Sequence, residues 1–133
     1  MLKRISVLAM AMALIFTCAS FGYSKNGDWS SYKTVDLNAS DGWIYTGKYS
    51  VKQTTNDIFT VRADSKTMTS SPKVKQVNSE KAVRSSAVAV NAVDTNITTE
   101  TSTATKGYEY QSKITPAINQ IGQDSIKYKV MSD

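Results

Sequence analysis

The chain predicts an all-β fold: a single small antiparallel β-sandwich or small barrel of about seven or eight strands, preceded by an N-terminal signal peptide helix. Three observations lead there. Short segments of alternating apolar and polar residues recur at spacings of roughly 8 to 15 residues, as sandwiches and barrels require. Turn formers separate them, among them Asp41-Gly42, Asn56-Asp57, Lys106-Gly107 and Gly122. The best of these segments, Gly42 to Thr54, sets Trp43, Tyr45, Gly47, Tyr49 and Val51 against Ile44, Thr46, Lys48, Ser50 and Lys52. A period of two places these sets on opposite strand faces. The aromatic face is assigned to the core and the Lys-bearing face to water.

At the N-terminus, Lys3 and Arg4 precede Ile5 to Phe16, an uncharged run rich in Leu, Ala, Met and Ile. A basic n-region, an apolar stretch of about a dozen residues and then small residues form a secretory signal. The run falls short of the ~20 residues that a membrane helix needs. Residues 1–24 are therefore assigned to the signal, with cleavage after Ala19, Ser20, Gly22 or Ser24, and residues 25–133 to one β domain. The expected location is extracellular. Cys18 is the single cysteine; Thr17 before it suits lipoprotein processing poorly, and lipid anchoring at Cys18 is the alternative address. The mature domain has no disulfide to rely on, so sheet pairing and core must hold it.

Along the domain, Ser31 to Leu37 alternates and ends at the turn formers Asn38 to Gly42, which predicts a hairpin into the central segment. Thr55-Asn56-Asp57 makes a second tight connection into Ile58 to Ala63, completing a three-stranded meander. Asp64 to Pro72 reads as a loop. Lys73 to Asn78 is a fourth strand. Glu80 to Val93 is rich in Ala and leaves helix and strand open, although the Ala/Val alternation of Ser85 to Val93 favours strand. The Thr-rich run Thr95 to Thr105 fits an exposed strand or hairpin arm better than a binding array, having no regular repeat. Tyr108 to Ile114 and Ser125 to Val130 are the last strands; Ile126, Tyr128 and Val130 oppose Lys127 and Lys129.

Function classes narrow by subtraction. Histidine is absent from the chain, which excludes Ser-His-Asp and Cys-His catalysis and the usual zinc ligand sets. The six glycines form no phosphate loop. Most aspartates sit in turns, so paired-carboxylate hydrolysis is the weaker choice, and no enzyme activity, cofactor or metal is expected. Asp36, Asn38, Ser40 and Asp41 have the spacing of calcium-loop oxygens, yet the glycine comes one position late and Gly47 stands where a bidentate Glu belongs, so a turn is expected there. Without Lys3 and Arg4 the net charge falls from +5 to +3, with the bases scattered. This argues against nucleic acid and leaves weak attraction to an anionic envelope or polysaccharide. Trp43, Tyr45 and Tyr49 form the candidate binding surface, provided their rings are exposed.

The run Leu37-Asn-Ala-Ser-Asp-Gly-Trp-Ile-Tyr-Thr-Gly-Lys-Tyr, followed by Lys52-Gln-Thr-Thr-Asn56 and by Phe59 and Val61, resembles a family of small secreted Gram-positive proteins. Its members carry Tyr-Thr-x-Gly-Arg-Tyr before Gln-Thr-Thr-Asn and are grouped loosely with lactococcin-972-like bacteriocins. The resemblance spans about residues 32–61; a second Trp-rich half and an acidic ending are missing. It implies a secreted β-sandwich and carries over no catalytic residue. The expected function is a non-enzymatic binding or cell-surface role, with a bacteriocin-like toxin acting at competitors' envelopes as the alternative.

Overall fold

The computed structural model describes residues 29–133. The expected signal peptide and Cys18 lie outside them. The described residues contain no helix and nine strands: β1 Lys33–Asn38, β2 Ile44–Tyr45, β3 Ser50–Val51, β4 Phe59–Lys66, β5 Lys73–Val77, β6 Val88–Ala89, β7 Asn96–Thr99, β8 Glu109–Thr115 and β9 Gln123–Ser132. They form two antiparallel sheets, so the all-β class and the two-sheet architecture hold. Sheet A has the order β1-β9-β4-β7. In sheet B, β8 is flanked by β5 and then β6 on one side; on the other side β2 and β3 pair with it one after the other.

The ten-residue β9 shows why these residues become strands. Ile126, Tyr128, Val130 and Ser132 are buried, while Lys127, Lys129 and Met131 are half-exposed on the other face. Such alternation lets one strand serve the core and the solvent at once. β4 repeats the pattern with Phe59, Val61 and Ala63 inward. It pairs with β9 over seven registered positions, broken by a bulge between Ala63 and Ser65. The core joins both sheets: Leu37, Phe59, Val61, Ile126, Tyr128 and Val130 from sheet A meet Val74, Val88 and Ile114 from sheet B. Each such aliphatic or aromatic side chain contributes on the order of 1.5–3 kcal/mol by leaving water.

Two expectations fail. The meander does not form: β1 pairs with β9, β2 with β8, and β4 with β9 and β7. The Asn38–Asp41 turn is a corner between sheets. Asn38 N–H donates to Asp41 Oδ2 at 2.7 Å and Ser40 N–H to Asn38 Oδ1 at 3.3 Å, so these side chains close the turn. Local alternation makes each segment a strand, but the long apolar faces of β9 and β8 decide the pairing.

The second failure concerns Gly42 to Thr54, whose orientation is reversed. Thr46, Ser50 and Lys52 are buried, whereas Tyr45 and Tyr49 are 37% and 44% exposed and Trp43 is half-exposed. The cause is a polar end to the interior. Ser50 Oγ donates to Ser132 Oγ at 2.9 Å, Gln76 Nε2 reaches the same oxygen at 2.8 Å, and Ser102 Oγ donates to Gln76 Oε1 at 2.6 Å. Ser112 Oγ lies 3.0 Å from the Tyr128 hydroxyl and 3.2 Å from Thr46 Oγ1. Lys52, only 1% exposed, donates through Nζ to the main-chain oxygens of Asn56 and, at 2.6 Å, of Asp133. Burial lowers the pKa of this ammonium, and Asp133 and Asp57 partly restore it. Hydroxyls and an amide that satisfy one another, and an ammonium held by main-chain oxygens, tolerate burial, and turning the segment over would take Thr46, Ser50 and Lys52 from those partners.

The remaining assignments shift less. Ser85 to Val93 shrinks to the two-residue β6, and the Thr-rich run supplies the edge strand β7. Asp64 to Lys66, read as loop, extends β4.

Candidate functional site

With the aromatic face outward, Trp43, Tyr45 and Tyr49 stand along one edge of sheet B. β2 is registered on β8 as Ile44↔Ile114 and Tyr45↔Lys113, while β3 is registered as Ser50↔Tyr110 and Val51↔Glu109. Four residues, Thr46 to Tyr49, thus face only Gln111 and Ser112. Gly47, at φ 64°, absorbs the excess in a conformation that side chains disfavour. Its N–H donates to Gln111 Oε1 at 3.0 Å, and Thr46 N–H donates to the Ser112 carbonyl at 3.0 Å. The irregularity is pinned, and the aromatic rings on either side of it are placed by β8.

The same ladder brings lysines onto the rings. Lys75 of β5 lies directly opposite Lys113 of β8. Both ammoniums sit over the Trp43 ring, at 5.3 and 4.9 Å from its centroid. Lys113 is also 5.8 Å from the Tyr45 centroid, and Lys81 lies 4.8 Å from the same ring. Lys75, Trp43, Lys113, Tyr45 and Lys81 therefore make a row in which cations and rings alternate. Cation–π contacts of this kind are each worth about 0.5–1 kcal/mol at exposed sites. Lys81 takes its place from a turn in which Asn78 Oδ1 accepts the N–H groups of Glu80 and Ala82 at 3.1 and 2.8 Å, with Lys81 itself at φ 66°.

Among the described residues no carboxylate forms an ion pair with the lysines of the row. Among the described residues the ion pairs are Lys127–Asp64 at 3.0 Å and Arg62–Asp94 at 3.7 Å, both involving sheet A. Like charges directly opposite on a ladder repel, and Lys75 and Lys113 have no carboxylate between them to offset this. Sheet A carries a second aromatic–lysine cluster: Lys129 over Trp29 and Tyr32 at 4.7 and 4.9 Å, and Lys127 over Tyr32 at 5.1 Å.

Beside the row, a groove of about 350 Å³ is lined by Glu80, Arg84, Tyr108, Glu109 and Tyr110 together with Asn78. It brings two carboxylates to one opening, which the sequence did not pair. No group of three or more Cys, Asp or Glu side chains comes together to hold a metal ion among the described residues. Trp43, Tyr45 and Tyr49 are the sequence's candidate surface, conditional on exposed rings; Lys75 and Lys113 join them only through the β5–β8 register.

Comparison of the chain with protein-family models, with curated proteins and with solved structures gives no match.

Proposed function

We propose that the protein is a secreted, non-enzymatic binding module whose partner is a linear anionic polysaccharide or related polymer of a cell envelope. The observation that carries this reading is the registered pair Lys75 and Lys113, neither of them in an ion pair, with both ammoniums over the half-exposed ring of Trp43. An anion between these ammoniums relieves their repulsion, and ring faces or edges pack against the apolar side of a sugar. Lys81, Tyr45 and Tyr49 extend the surface along the edge strand, which suits a polymer better than a single small ion. A chain with this partner needs export, in keeping with the N-terminal secretory pattern.

The test is a titration of residues 25–133 with a polyuronate, a polyol phosphate polymer and neutral dextran. Binding to the two polyanions that weakens with added salt, together with none to dextran, is the expected result. Equal binding to dextran, or none to any polymer, overturns the reading. The envelope-directed toxin is favoured instead if the protein inhibits growth of related bacteria.

A further inference from the structure

The β8–β9 connection, residues 116–122, ends in two isoleucines that nothing in the fold covers: Ile118 is 100% exposed and Ile121 91%. The loop that carries them is tied down. Gln120 is buried, and its Nε2 donates to the Leu37 carbonyl at 2.7 Å. Gln120 N–H closes a turn onto the Ala117 carbonyl at 3.0 Å, the Gly122 carbonyl accepts Ala39 N–H at 2.9 Å, and Gly122 sits at φ 71°. The chain is thus fastened on both sides of Ile121, and the two side chains are held outward.

We infer that Ile118 and Ile121 form a lipid-docking tip that enters the interfacial region of a phospholipid bilayer. The tip presents two side chains on one short loop, far below the ~1,000 Å² that a stable protein interface buries. A bilayer asks for no such area, because each apolar side chain that enters it contributes independently. What lies next to the tip also fits a bilayer. Trp43 precedes Ile44, which is registered on Ile114 near the end of β8, and Lys73 is registered on Thr115, the last residue before the loop. Trp43 and Lys73 thus stand at one level, on the two strands that flank β8, directly behind the apolar tip. An indole and an ammonium at that level suit the interfacial zone behind inserted isoleucines. The two readings share Trp43, but the isoleucines lie in a loop that the polymer row does not use, so variants there separate the two.

Vesicle co-sedimentation tests it, with residues 25–133 and with Ile118→Ser/Ile121→Ser in the same chain, on phosphatidylcholine alone and mixed with phosphatidylglycerol. The parent is expected to partition onto vesicles, more strongly onto the mixed ones, and the double serine variant at least tenfold more weakly. Ile118→Leu/Ile121→Leu should restore partitioning, and polyuronate binding should be the same in all three. Retained vesicle binding by the serine variant, or no binding by the parent, overturns the inference. So does concentration-dependent dimerisation of the parent that the serines abolish while vesicle binding is unchanged. That outcome makes a second copy the partner.

Discussion

The outer faces of the two sheets use the same device and differ in charge balance. On sheet A, Lys127 and Lys129 lie over Tyr32 and Trp29, but Asp64 pairs with Lys127 at 3.0 Å and Asp94 with Arg62 at 3.7 Å. On sheet B, Lys75, Lys113 and Lys81 lie over Trp43 and Tyr45 and pair with no carboxylate among the described residues. A lysine stem on a ring covers apolar surface on either face. On sheet A one of the two ring-capping ammoniums, Lys127, is balanced by an acid and Lys129 is not; on sheet B none of the three is. Sheet B is therefore the face with more uncompensated cations to offer an anion.

The sharpest break in this comparison comes from reversing one charge on each face. Lys113→Glu should weaken polyanion binding at least tenfold, about 1.4 kcal/mol, because it removes the cation shared by Trp43 and Tyr45 and places a carboxylate in the row. Lys127→Glu should leave binding within about twofold and destabilise the fold by less than about 1 kcal/mol through the lost Asp64 pair. Affinities of both variants by calorimetry, with melting midpoints, check this.

A smaller effect sharpens the comparison from between the sheets. Burial raises the pKa of the Tyr128 hydroxyl well above the ordinary phenol value near 10, against a lowering by the Ser112 and Thr46 hydroxyls. The folded state thus keeps its proton where the unfolded chain loses one. Stability is fully present below pH 10 and is lost as pH rises above it, by about 1 kcal/mol between pH 10 and 11. Tyr128→Phe should remove that loss, measured by urea unfolding at the two pH values, and should leave polymer binding at pH 7 unchanged. An interior variant that altered binding would mean that the outer face is not the site.

The smallest effect converts one face toward the other. Asp64→Asn releases Lys127, so sheet A gains one uncompensated cation, and polyanion affinity should rise about twofold at low salt and not at all at high salt. A fall would mean that the carboxylate itself takes part in binding.

The strands were legible where a segment declares both its period and its faces. In β9, isoleucine, tyrosine and valine alternate with lysine, and only one orientation buries apolar area without burying charge. Gly42 to Thr54 declares the period alone. Its two faces are rings on one side and Ile, hydroxyls and Lys on the other, and the choice rests on the network of Gln76, Ser102, Ser112 and Ser132, which come from distant parts of the chain to receive Thr46 and Ser50, and on the Asn56 and Asp133 main-chain oxygens that receive Lys52. Nothing local reports that the interior is polar at that end. For the same reason Trp43, Tyr45 and Tyr49 could be singled out as a surface, but not the lysines above them. Lys75 and Lys113 are separated along the chain and meet only through the β5–β8 register.

The central claim is that the aromatic face of Gly42 to Thr54 points outward under lysines and takes up anions. The chain has two tryptophans, so Trp29→Phe leaves Trp43 as the sole indole, and its fluorescence reports on that face alone. Iodide, drawn by Lys75 and Lys113, should quench it more efficiently than neutral acrylamide at low salt, and a polyuronate should protect it. A Trp43 emission that neither quencher reaches, unchanged by the polymer, would put the ring in the core and contradict the account.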